Sequence, residues 1–197
     1  AVPGKHFRIR DPRAYAREIK FQWKKYKDRG MKVAHTFDPV FPINREWVRG
    51  FCDEYKKIGM AAILPFSCFA RADNIDEDKI EMMSKANLKI ARIGIEAGNE
   101  RIRREVYEKD IPTDQYRKVF KLLHAKDIAI TGYNILGGPG ETKETMQDTF
   151  DLAKELDVDR PIFFTYRPLP KTKGAEMVKT LGGKIDSGTW DKIDSLH

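Results

Sequence analysis

Several charged residues and one glycine-rich turn stand along this 197-residue sequence at the points where apolar runs end. Asp38 follows Val33–Phe37. Arg71 and Asp73 come after the apolar stretch that begins at Met60. Glu96 follows Ile93-Gly94-Ile95 and precedes Ala97-Gly98. Gly137-Gly138-Pro139-Gly140-Glu141 follows Ile128–Leu136, and Arg167-Pro168-Leu169-Pro170 follows Pro161–Tyr166. A carboxylate closing a buried strand needs a partner or a ligand, so Glu96 is the sharpest of these signals. Both signs of charge beside a turn that lets backbone approach a ligand suit a zwitterionic or phosphorylated small molecule. The glycine turn lacks the Lys-Ser/Thr of a phosphate loop and the spacing of a dinucleotide fingerprint. It could equally be a tight strand-to-helix connection, with Glu141-Thr142 as a capping pair. Cys52 and Cys68, sixteen apart, form neither a disulfide framework nor a metal knuckle, and Cys68 reads as a buried small hydrophobe. His6, His35, His124 and His197 are scattered without metal-ligand spacing.

The elements that must position these residues alternate strictly. Asp11-Pro12 opens a helix carrying Ala14, Ile19, Trp23 and Tyr26, closed by Gly30. Strands are expected at Val33–Phe37, Met60–Phe66, Leu88–Ile95, Ile128–Leu136 and Pro161–Tyr166. Helices are expected after Asn44 and Asp76, over Asn99–Tyr107, Thr113–Lys126 and Thr142–Leu156, and finally over Lys173–Leu181. Nearly continuous apolar strands separated by helices imply a parallel α/β sheet of right-handed βαβ units. In such folds ligands sit at the carboxyl ends of the strands, where the charged residues gather. The series starts with a helix, as though a first strand had been cut away. Gly182-Gly183 marks an expected boundary: one domain over 1–181, with 182–197 beginning an extension or tail.

Lys and Arg number 37 against 30 Asp and Glu, a net charge of +7, and 41% of residues are apolar. Disordered and collagen-like classes are excluded. The longest apolar runs are about six residues, too short for a membrane span. No secretion signal is visible, and a reducing cytoplasm is the expected setting. Residues 1–32 carry eleven basic and three acidic residues, a balance of +8, while the remainder is near neutral. Such a basic segment is either a solvated face or a surface for an anionic partner.

Five segments together carry a resemblance: Thr36-Phe37-Asp38-Pro39-Val40-Phe41, Arg71-Ala72-Asp73-Asn74-Ile75-Asp76, Ile93-Gly94-Ile95-Glu96-Ala97-Gly98-Asn99-Glu100, Ile135-Leu136-Gly137-Gly138-Pro139-Gly140-Glu141-Thr142, and Arg167-Pro168-Leu169-Pro170-Lys171-Thr172. In this order they resemble the radical S-adenosylmethionine superfamily, closest to the branch of cobalamin-binding radical enzymes and methylthiotransferases. The resemblance covers about residues 7–175. It implies a partial (β/α)6 TIM-type barrel with parallel strands, here lacking the first. It also implies S-adenosylmethionine and a four-iron cluster as cofactors, cobalamin as a further option, and a flavodoxin or ferredoxin as electron donor. The family's Cys-x3-Cys-x2-Cys loop has no counterpart in this sequence, so the expectation is an amino-terminal truncation just after that loop. The intact enzyme would cleave S-adenosylmethionine reductively to a 5′-deoxyadenosyl radical; this stretch alone would not.

By the same resemblance, Asp38 would meet the methionine amino group and Glu96 the ribose or methionine moiety. Lys109 would meet the methionine carboxylate, with Arg71 a second candidate. Gly137, Gly138 and Glu141 would shape the adenosine side. Lys109 could instead be an exposed lysine before a loop. Two other functions compete: a phosphate-sugar or aldolase-type barrel, and a basic nucleic-acid-binding module. No lysine stands at a strand end for Schiff-base chemistry. Strand-end carboxylates repel phosphate, so nucleic acid is not favoured.

Overall fold

The computed structural model describes residues 9–182. Seven helices and five strands alternate among them: α1 (Pro12–Tyr26), β1 (Ala34–His35), α2 (Arg45–Lys57), β2 (Phe66–Ala70), α3 (Glu77–Lys85), β3 (Leu88–Glu96), α4 (Glu100–Glu105), α5 (Thr113–His124), β4 (Ala129–Leu136), α6 (Lys143–Glu155), β5 (Arg160–Thr165) and α7 (Lys173–Thr180). The strands are parallel and their order in the sheet is the order in the chain, β1-β2-β3-β4-β5. The tail expected over 182–197 lies, after Gly182, outside the described residues.

Short side chains set the helix starts. Asp11 accepts the Ala14 N–H at 2.7 Å, Asn44 that of Trp47 at 2.7 Å, and Asp76 that of Lys79 at 2.9 Å. Thr142 caps α6 in a reciprocal box with Thr145, so Glu141 is released from capping.

The second strand lies later than its apolar run implies. Gly59, at φ +79°, ends the stretch after α2, and Met60–Ala62 forms a 3₁₀ turn. The Leu64 carbonyl takes the Tyr55 hydroxyl at 2.9 Å. Pro65 has no N–H to give a ladder, and pairing starts at Phe66, opposite Leu88. Cys68 therefore sits within β2, and Arg71 follows it directly.

The chain forms two compact units. One runs to Gly94 and takes in Asp114–Thr131; the other comprises Ile95–Thr113 and the chain from Gly132 on. In the first, α1 and α2 enclose an aromatic cluster in which Phe41 stands 5.0 Å from both Trp47 and Phe51, edge to face. Phe51, Tyr55 and Phe66 are wholly buried there. In the second, Ile95, Ala97 and Ile102 are wholly buried, with Leu152, Ala153 and Leu156 nearly so. Alternation along β3 places Ala91, Ile93 and Ile95 on its fully buried face, and Ile90, Arg92, Gly94 and Glu96 on the other.

Candidate functional site

Glu96, the last residue of β3, has φ +67°, and the Ala97 N–H donates to the Ile95 carbonyl at 3.0 Å. This is a γ-turn with a left-handed centre, a conformation that side-chain-bearing residues rarely adopt and that costs on the order of 1–3 kcal/mol. The turn is pinned from both sides. The Gly98 N–H donates to Thr149 Oγ1 at 2.9 Å, and a Cβ on Gly98 would lie 2.1 Å from the Asp148 carbonyl oxygen. Arg103, fully buried, donates to the Ala97 carbonyl at 2.8 Å and to Thr113 Oγ1 at 2.9 Å.

Held this way, the Glu96 carboxylate receives Lys109 Nζ at 3.0 Å, with the lysine side chain 8% and the glutamate 23% exposed. Lys109 is thus a buried partner of Glu96 rather than a solvated lysine before a loop. The Lys109 N–H donates to the Arg103 carbonyl at 3.0 Å, which fixes the start of its stem.

The glycine turn belongs to the same unit. Gly137 and Gly140 have φ of +79° and +76°, and Gly138 has no room for a side chain, since a Cβ would lie 2.5 Å from Tyr107 Oη. Glu141 folds back so that Oε2 accepts the Gly138 N–H at 2.7 Å. Its Oε1 and Tyr107 Oη are buried and have no hydrogen-bond partner among the described residues. Burial pushes the Glu141 carboxyl up, against the opposing pull of the Gly138 and Gly137 amides. Burial also raises the Tyr107 phenol, and the charges of Glu141, Tyr166 and Glu96 add to this. Tyr107 therefore stays protonated and stands within electrostatic reach of both carboxylates. Tyr166, just beyond β5, packs on it edge to face at 6.2 Å.

Asp38 and Arg71 belong to the other unit. Asp38, exposed, accepts the Tyr15 hydroxyl at 2.9 Å. Burial and then this bond raise the Tyr15 phenol, which keeps it a donor. Both line a cavity of about 340 Å³ with Arg10, Phe41 and Trp47. Arg71 grips Asp73 with Nε and Nη2, at 3.0 and 2.7 Å. Of the sequence candidates, then, Glu96, Lys109, Gly137, Gly138 and Glu141 cluster within one unit. Tyr107, Arg103 and Tyr15 were missed. Tyr107 and Arg103 lie within the Glu96–Lys109 stretch, but only the fold shows what they touch.

Two unsatisfied buried polar atoms beside a strained carboxylate fit a ligand rich in hydroxyl and amino groups, as S-adenosylmethionine is. The cysteines do not fit iron. Burial pushes both thiols up to about 12, and no group of three His, Cys, Asp or Glu suited to a metal occurs among the described residues.

Comparison with known proteins agrees with this geometry. The sequence profile of the radical SAM superfamily matches residues 3–153. The anaerobic magnesium-protoporphyrin IX monomethyl ester cyclase of Cereibacter sphaeroides is 27% identical over 168 residues, covering 84% of this chain and 27% of that protein. The tRNA-2-methylthio-N(6)-dimethylallyladenosine synthase of Caldicellulosiruptor saccharolyticus is 37% identical over 103 residues, 52% of this chain and 22% of its own. The chain thus spans about a quarter of these relatives. Among solved structures, the radical S-adenosylmethionine methyltransferase TsrM of Kitasatospora setae, with cobalamin and a [4Fe-4S] cluster bound, superposes with a TM-score of 0.70. It is 18% identical over 85% of this chain and 32% of its own. That likeness shows the fold, a partial TIM-type barrel of parallel strands. The family uses S-adenosylmethionine and a four-iron cluster. A profile that spans three quarters of the sequence, on a fold that strains a lysine-paired glutamate at a strand end, places this chain in the radical SAM superfamily of enzymes.

Proposed function

We propose that this chain supplies the S-adenosylmethionine-binding part of a radical enzyme, with Glu96 and Lys109 as its polar anchor. The single observation that carries this reading is the left-handed Glu96 turn with its carboxylate on a buried lysine. A salt bridge serving stability alone has no need of a strained backbone. Glu96 would accept hydrogens from the ligand's ribose or ammonium, and Lys109 would face its carboxylate. Glu141 Oε1 and Tyr107 Oη, both without a hydrogen-bond partner among the described residues, would meet hydroxyl or amino groups on the adenosine side. Asp38, with Tyr15 fixing its position, suits the methionine ammonium, and Arg71 remains the second choice for the carboxylate. When bound beside a reduced four-iron cluster, S-adenosylmethionine supplies hydrogen-abstracting radical chemistry. Electrons for the cluster would come from a flavodoxin- or ferredoxin-type donor, in a reducing compartment such as the cytoplasm. Cobalamin remains an option. No helix among the described residues is long and apolar enough to cross a membrane.

A phosphate-binding loop is the weaker reading of Gly137–Gly140. The Gly138 amide is already taken by Glu141, whose charge would repel a phosphate. Calorimetric titration of the full chain with S-adenosylmethionine tests the proposal. Glu96→Gln and Lys109→Met should each weaken binding by about tenfold or more, equivalent to ~1.4 kcal/mol. Unchanged affinity in both folded variants would remove the anchor role.

A further inference from the structure

A second polar cluster lies in the unit that ends at Gly94, the unit that also carries Asp38 and Arg71. The register of the first three strands builds it. His35 pairs with Ser67 across β1 and β2, and Phe69 pairs with Arg92 across β2 and β3. Arg92 Nη2 donates to Ser67 Oγ and, at 2.5 Å, to His35 Nδ1. Ser67 Oγ and His35 Nδ1 are themselves 2.7 Å apart. The guanidinium carbon stands 5.3 Å from the Phe37 ring centre and 4.9 Å from that of Phe69.

The charge in this cluster is not balanced. Arg92 is 9% exposed, yet no carboxylate pairs with it among the described residues. Aromatic faces offset only part of what a buried cation loses in leaving water. Because His35 Nδ1 accepts from Arg92, its proton sits on Nε2, a second donor. Partial burial and the Arg92 charge hold the imidazole neutral. The group therefore carries a single positive charge and two donor side chains. Phe37 leaves 74% of its surface in solvent and His35 is exposed, so a ligand can reach the cluster at these two residues, while Ser67 is wholly buried.

We propose that Arg92 and His35, held in place by Ser67 and walled by Phe37 and Phe69, bind the carboxylate of an apolar-bodied organic substrate. A single positive charge matches a monoanion better than a phosphate dianion. A planar guanidinium takes a carboxylate in two parallel hydrogen bonds. The exposed phenyl ring of Phe37 offers surface to the hydrocarbon part of the same molecule. The site shares no residue with the Glu96–Lys109 anchor, and benzoate tests it without S-adenosylmethionine.

The test is a titration of the full chain, isotopically labelled at histidine, with benzoate and separately with inorganic phosphate. The His35 ring resonances, identified by their loss in His35→Gln, are the readout. Benzoate should give a saturable shift, and phosphate should bind at least about fivefold more weakly. Arg92→Met should abolish the benzoate response while far-UV circular dichroism stays native. Should Arg92→Met fail to fold, Arg92→Lys keeps the charge without the two-pronged donor and should weaken benzoate about tenfold. The proposal is overturned by a wild-type chain that gives no saturable shift. Undiminished affinity in a folded Arg92 variant, or phosphate bound more tightly than benzoate, would overturn it equally.

Discussion

Lys109 and Glu96 show how much a single pair can hold in place. With the lysine almost sealed from solvent, removing it leaves a carboxylate in a left-handed turn without its cation. Lys109→Met should therefore destabilise the fold by about 2 kcal/mol, discounted from the usual buried-pair figure because Glu96 retains some exposure. The double variant Glu96→Gln/Lys109→Met should recover at least half of that in urea unfolding. If the double variant is as unstable as the single, the pair is not the cause. His35 gives a prediction in pH. Its imidazole is held neutral in the fold, so its folded pKa lies below the unfolded value of about 6.5. Stability is then fully present above that value and falls as acid protonates the unfolded chain first. Thermal unfolding between pH 7.5 and 5 should show this slope, and His35→Gln should flatten it.

At the scale of elements, Gly98 packs a strand end directly against the backbone of a helix. A methyl group there meets backbone of α6, which has no rotamer by which to yield. Gly98→Ala should cost roughly 2 kcal/mol in urea unfolding, with the Glu96 turn displaced. A loss below a few tenths would show that α6 can move aside. The elements also show what sequence can and cannot convey. Helix starts at Asp11, Asn44, Asp76 and Thr142 were legible because a cap and its amide lie within three residues. The second strand was set too early, since Met60–Phe66 is apolar throughout and only Pro65 and a 3₁₀ turn mark where pairing begins. Glu96 was legible as a charge ending an apolar run. Tyr107 and Arg92 were not, because what each touches, and what each leaves unpaired among the described residues, is set by the fold and leaves no pattern in a sequence.

For the whole molecule, two cysteines in 197 residues set a limit on metal chemistry. Both thiols are buried and pushed up to about 12, so at pH 8 they are almost wholly protonated. Anaerobic reconstitution of this chain with iron and sulfide should leave far fewer than the ~4 irons of a full cluster. Thiol titration under native conditions should stay near zero and rise to two groups on unfolding. About four irons per chain, lost with Cys68→Ala, would overturn this assignment of the cysteines as inert core residues.

The identity of sheet order and chain order has a consequence for synthesis. Successive strands begin at residues 34, 66, 88, 129 and 160, and each pairs with the strand made just before it. At about 5–20 residues per second, a ribosome delivers one new strand every few seconds, far longer than local elements need to form. The sheet can therefore grow in the direction of translation, and no strand has to be inserted later between two already paired. At every stage the newest strand alone presents open amides on the growing side. A pause after a finished strand and its covering helix leaves that edge short and settled. A pause within residues 88–96 leaves a long apolar strand half paired and available to other nascent chains.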